Sequence, residues 1–146
     1  MLNKAAIGKS FPPVIAEVEK GRLRFFAKAI GEANPIYTCE LAAKSAGYPS
    51  LPLAPTFLFS LKMDVPEPFG NYESIGVSLS KVLHANQAFA YHQDVIAGDT
   101  LRFDSEVTDI YDKRNGLLEF LVEKTKVSNQ HGDHVADLTT TLVVRN

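Results

Sequence analysis

The chain has 146 residues, 45% of them hydrophobic, and a formal net charge of -2, the size and apolar content of one domain with a single shared core. Its lysines and arginines are scattered, so it lacks the basic footprint that draws nucleic acid, and no apolar run approaches the ~20 residues that span a bilayer. With no signal-peptide core near its start, the expectation is a soluble, cytoplasmic protein without nucleic-acid or membrane partners.

Residues 5 to 18 are expected to supply one strand. Leu23, Phe26, Ala27 and Ile30 then recur at helical spacing, which predicts an amphipathic helix over 20 to 31 ending at Gly31. Cys39 is the sole cysteine, which excludes an internal disulfide and a cysteine-based zinc cluster within one chain; a half-buried structural thiol is expected. Leu41 to Ala46 reads as a short helix closed by Gly47, and the proline-rich stretch from Tyr48 to Pro55 as a loop. A third helix starts near Pro55 and carries Phe57, Leu58, Leu61 and Met63 with almost no charge before Lys62. Such a helix is buried nearly all round.

Near residue 70 the pattern turns strand-like. Strands are predicted over Leu79 to His92, Thr100 to Tyr111, Leu117 to Val127 and Val135 to Arg145, with Gly98-Asp99, Asn115-Gly116 and Asn129 to Asp133 as the turns. In the last strand Ala136, Leu138, Thr140, Leu142 and Val144 mark one buried face. The run from Leu117 to Val122 reads as apolar on both faces, so its second face is expected to meet a subunit partner. The sum is an α+β domain over residues 1 to 146, a mostly antiparallel sheet wrapped around a buried helix.

Four separated segments carry a resemblance: Gly31-Glu-Ala-Asn-Pro-Ile-Tyr37, Leu53-Ala-Pro-Thr-Phe57, Leu83-His-Ala-Asn-Gln87 and Ala97-Gly-Asp-Thr-Leu101. Taken in order, they resemble the MaoC-like hydratases and dehydratases of the hot-dog fold, above all the N-terminal domain of the two-domain type and the free-standing accessory subunits. In active members the first segment reads Gly-Asp-x-Asn-Pro-x-His. Its Asp and His supply the base that activates water and the acid that protonates the α-carbon of a 2-enoyl thioester. Here Glu32 stands at the Asp position and Tyr37 at the His position, with Asn34 in the rigid turn between them. A phenol titrating near 10 is a poor replacement for imidazole at neutral pH.

The resemblance also places an oxyanion hole at the start of the buried helix, where Ala54-Pro55-Thr56 replaces the usual His-Gly pair and the amides of Thr56 and Phe57 are the remaining donors. It implies an acyl slot lined by Phe57, Leu58 and Leu61. His84 matches a family position and is weighed as a catalytic residue against a hydrogen-bonded structural histidine. His92 is expected to end its strand at the surface. His131 and His134 form an H-x-x-H spacing in a polar turn without further recognisable ligands, so no metal is expected, and no cofactor is implied.

Two functional readings follow. In the first, the chain binds an acyl-CoA or acyl-carrier-protein thioester as one subunit of an (R)-specific enoyl-CoA hydratase or 3-hydroxyacyl dehydratase, paired with a catalytic MaoC-like subunit. In the second it is a self-sufficient homodimer, a hydratase or a hot-dog thioesterase with Glu32 as general base.

Overall fold

The computed structural model describes every residue from Met1 to Asn146. Five antiparallel strands, β1 (Val14–Glu17), β2 (Val82–Tyr91), β3 (Thr100–Lys113), β4 (Leu118–Ser128) and β5 (His134–Arg145), form one sheet in the order β1-β3-β4-β5-β2. Four helices, α1 (Lys20–Ala29), α2 (Glu40–Ser45), α3 (Phe57–Lys62) and α4 (Gly70–Glu73), fall between β1 and β2. The curled antiparallel sheet around a buried helix is the hot-dog fold, of α+β class.

Helix α3 is the centre of the larger core. Phe57, Leu58 and Leu61 pack there with Leu23 of α1, Ala43 of α2, and Leu101, Phe103, Val127 and Leu138 of the sheet. Three of its side chains that face the sheet are at most 5% exposed, as its nearly unbroken apolar sequence requires. A second, smaller core lies under α4, where Phe11, Tyr72, Ile110, Leu121 and Val144 meet.

The structure departs from the sequence expectations in instructive ways. The first strand is confined to Val14–Glu17: residues 4–6 form a 3₁₀ turn capped by the Asn3 side chain, and Pro12-Pro13 bring no N–H groups to a ladder. Strand β2 begins at Val82 because Leu79–Lys81 is again a 3₁₀ turn. Helix α4 is a single turn, too short to show a period in sequence. The hairpin at Asn115-Gly116 forms as expected, with φ of 54° and 83° at those residues. Cys39 is exposed at the start of α2 rather than half-buried.

The doubly apolar reading of β4 is corrected by its register. Glu119, Leu121, Glu123, Thr125 and Val127 face inward, whereas Leu118, Phe120 and Val122 form a half-buried outer face. Phe120 is covered there by its own sheet: its ring stacks on Tyr111 at 4.9 Å, and the Lys113 ammonium lies over both rings. The two inward carboxylates are satisfied. Glu119 accepts from the Leu2 N–H at 2.8 Å and from Asn146 Nδ2 at 2.7 Å. Glu123 forms a buried ion pair with Lys62 of α3 and accepts the Tyr72 hydroxyl at 3.3 Å. No buried side-chain polar atom lacks a partner, as a low-dielectric interior demands.

Candidate active site

The turn that the resemblance singles out is rigid and locally self-satisfied. Gly31 leaves α1 at φ 70°, Pro35 opens a 3₁₀ turn over Pro35–Tyr37, and Asn34 caps that turn by accepting from the Ile36 N–H at 3.2 Å. Glu32 is exposed, and its Oε1 accepts from the Asn34 N–H at 2.8 Å. Tyr37, half-buried, enters a cleft of about 390 Å³ shared with Tyr48, Pro55, Tyr91 and His92. Burial first, then the Glu32 carboxylate and Tyr48, push the Tyr37 phenol above its ordinary value, so it is a neutral hydroxyl near pH 7. The Tyr91 hydroxyl donates to the Pro55 carbonyl across the cleft, and burial likewise raises its phenol.

Of the two amides expected to cradle a carbonyl oxygen, that of Phe57 is already committed: it donates to the Ala54 carbonyl at 2.9 Å. Thr56, the residue whose amide is the other expected donor, is exposed at the start of α3 and makes no side-chain cap. Leu61 is completely buried in the core and lines none of the larger cavities, and Phe57 packs against Phe26 at 4.7 Å between centroids. Of the residues expected to line the acyl slot, Leu58 and Leu61 are fully buried in the core, whereas Phe57 lines a cavity of about 410 Å³ together with Phe25 and Phe26 of α1.

A second, more apolar cavity of about 500 Å³ opens at the other end of the α3–β2 contact. Phe59, Met63, Phe69, Tyr72, Leu79 and His84 are among its walls. His84 lies beside a bulge in the β2–β5 ladder, its ring stacked on Phe59 at 5.0 Å and its Nε2 3.1 Å from the Asn86 carbonyl oxygen. The structure thus brings Glu32, Asn34, Tyr37 and Pro55 to one end and sends His84 to the other.

One cluster was hidden by its spacing. His134 does not pair with His131, which meets Gln130; it joins His92 and Asp137 at the edge of the cleft. Partial burial pushes the Asp137 carboxyl upward, but the hydrogen bonds and charges of His92 and His134 outweigh it and hold it below the usual carboxylate range. The signal lay in strand register, since Tyr91 pairs with Ala136 and so sets His92 beside the start of β5.

The fold and the turn define a hot-dog domain of the hydratase and dehydratase class, and comparison with known proteins makes this specific. The model of the FAS1-like dehydratase domain region matches residues 5–138, so the chain belongs to that MaoC-like family. It is 35% identical over 146 residues to a UPF0336 protein of Streptomyces coelicolor, covering 99% of this chain and 95% of the relative. A UPF0336 protein of Saccharopolyspora erythraea is also 35% identical, over 145 residues, with 99% and 92% covered. Among solved structures, the HadBC (3R-hydroxyacyl-ACP dehydratase) complex of Mycobacterium tuberculosis superposes with a TM-score of 0.82 at 27% identity, covering 94% of this chain and 96% of that one. The ChsH1-ChsH2 complex of the same organism shares the fold, with a TM-score of 0.78 at 22% identity over 97% of this chain and 86% of that one.

Proposed function

We propose that the chain is the acyl-thioester-binding subunit of an (R)-specific hydratase or dehydratase, and that a second MaoC-like chain supplies the Asp and His. The observation that carries this reading is the state of the turn. Glu32 is tied to the Asn34 N–H, and the side chain that the turn presents to the cleft is the neutral phenol of Tyr37 rather than an imidazole, the imidazole of His92 being bonded to Asp137 at the rim. Pro55 withholds one backbone donor and Phe57 has spent another. A shaped cleft survives in which the turn itself supplies neither an imidazole nor an unengaged carboxylate.

The partner joins along β2. This ten-residue strand is an edge of the sheet, with Leu83 48% and Tyr91 38% exposed, and an open edge of that length is a template for another strand. The solved HadBC relative is itself a two-component complex, which supports the same arrangement here. The acyl chain enters the apolar cavity between Phe59, Phe69 and Leu79 rather than the core around Leu61.

The test is hydration of crotonyl-CoA by the purified chain, alone and mixed with a chain bearing Gly-Asp-x-Asn-Pro-x-His. The expected rate for the chain alone is at least about a thousandfold below that of the mixture, since an acid and a base each contribute 10²–10⁴-fold. Robust turnover by the isolated chain, abolished by Glu32→Gln, would instead establish a self-sufficient enzyme. A stable monomer by light scattering, with and without the partner, would remove the pairing along β2.

A further inference from the structure

The junction of β2 with β5 places three ligand-type side chains together that the proposed reaction does not use. The His92 and Gln93 N–H groups both donate to the Val135 carbonyl, at 2.9 and 3.3 Å, which locks the chain leaving β2 against the start of β5. His92 and His134 are thereby neighbours, with ring centroids 4.5 Å apart. Each presents Nε2 to a different oxygen of Asp137, at 2.7 and 2.8 Å, and all three residues offer donor atoms within 4.8 Å of one another.

We propose that His92, His134 and Asp137 form a binding site for a late divalent transition metal, zinc above all. Zinc takes nitrogen and oxygen ligands at about 2.0–2.2 Å, which in a tetrahedron separates them by about 3.3 Å. The present separations of 2.7 and 2.8 Å need open by only roughly half an ångström to admit the ion. The side chains are 44%, 40% and 43% exposed, so the rings turn without disturbing the core and the fourth position faces water. In the bound state each neutral imidazole carries its proton on Nδ1, leaving the Nε2 lone pair for the metal. Two imidazoles and one carboxylate select zinc, nickel or cobalt over magnesium and calcium, which take oxygen ligands. Because His92 also lines the cleft, the ion ties the start of β5 to the cleft's rim.

The experiment is calorimetric titration of the tag-free, chelator-treated chain with zinc chloride, in parallel with magnesium chloride, followed by the visible spectrum of the cobalt form. The expected result is one equivalent of zinc bound per chain in the micromolar range, with a tetrahedral cobalt spectrum and no magnesium binding. His134→Ala, His92→Ala and Asp137→Asn should each weaken zinc by well over about tenfold. His131→Ala, which alters a ring outside the cluster, should leave it unchanged. All four positions are at or near the surface, and circular dichroism checks that each variant is folded. Failure to saturate below millimolar zinc, or binding that survives both His92→Ala and His134→Ala, would overturn the site.

Discussion

The two ends of the α3–β2 contact are built on opposite principles. At one end Pro55 and Tyr91 frame a polar cleft lined by three tyrosines together with His92 and Asp94, in which the Tyr91 hydroxyl is held by the Pro55 carbonyl and His92 by the Asp137 carboxylate. At the other, Phe59 and His84 frame an apolar cavity whose floor, through Tyr72, reaches the buried Lys62–Glu123 pair. The cleft end carries its polar groups at the surface, where His92 pairs with Asp137. The cavity end spends its residues on apolar volume and places its charges underneath, paired. On the reading proposed here, one scaffold has kept the two binding functions of an acyl-thioester site while its proton-transfer groups lie on another chain.

The sharpest way to break the cavity end is to strand one of its buried charges. Glu123→Gln leaves the Lys62 ammonium in the core without its counter-ion and should destabilise the chain by about 3–5 kcal/mol, read by urea denaturation. Lys62→Met combined with Glu123→Leu should recover most of that loss, because the pair offsets a desolvation cost that apolar side chains never incur. If the double variant is as unstable as the single one, the cause is either packing that leucine and methionine do not reproduce or the buried Tyr72 hydroxyl left without its acceptor, and adding Tyr72→Phe separates the two.

A milder change probes the cavity's occupant. Leu79 is 37% exposed on the cavity wall, so Leu79→Trp fills the space with little cost to the core. For the unaltered chain, affinity for non-reactive acyl-CoA analogues should rise by about 0.8 kcal/mol, roughly fourfold, for each methylene removed from water until the cavity is full. In Leu79→Trp the rise should stop several carbons earlier while short chains bind as before. Calorimetry across four to twelve carbons checks both, and a flat series in each protein would mean that the cavity takes something other than an acyl tail.

How much of this was legible in the sequence follows from the range of the interactions involved. The central helix, the hairpin at Asn115-Gly116 and the alternation in β5 are local patterns, and the structure carries them out. The conformation of the turn from Gly31 to Tyr37 is also local, because Asn34 and Pro35 impose it whatever surrounds them. What failed was anything decided by register. Glu119 and Glu123 within an apolar run look like solvent-facing residues until the sheet fixes which face is inside. Lys62 looks like a helix-end cation until Glu123 is found opposite it, 61 residues away. The same blindness paired His134 with His131 along the chain instead of with His92 across the ladder. Nor does spacing tell whether Leu61, buried in the structure, faces core or slot, because core leucines and pocket leucines have the same spacing along a helix.

At the cleft end the expected effects are small, which is itself the contrast. With a catalytic partner present, Tyr37→Phe and Glu32→Gln should change the hydration rate by a factor of no more than about two, against the 10²–10⁴ that removal of a working acid or base costs. Steady-state kinetics of the mixture measures this. A loss of a hundredfold or more in either variant would return Glu32 or Tyr37 to the chemistry.

The smallest effect isolates the one electrostatic link between these two positions. Burial, the Glu32 carboxylate and Tyr48, in that order, hold the Tyr37 phenol above its ordinary value of 10.0. A raised folded-state value means that the folded chain keeps this proton more tightly than the unfolded one. The resulting stability is complete below pH 10 and is lost as pH rises through the folded value. Glu32→Gln removes the second cause and leaves the other two, so Tyr37 should ionise at a lower pH than in the unaltered chain while still titrating above 10. Ultraviolet difference spectra of phenolate formation, taken against Tyr37→Phe to subtract the other four of the five tyrosines, follow this group alone. An unchanged midpoint in Glu32→Gln would mean that the carboxylate does not face the phenol in solution, and that the turn does not bring the side chains of Glu32 and Tyr37 together.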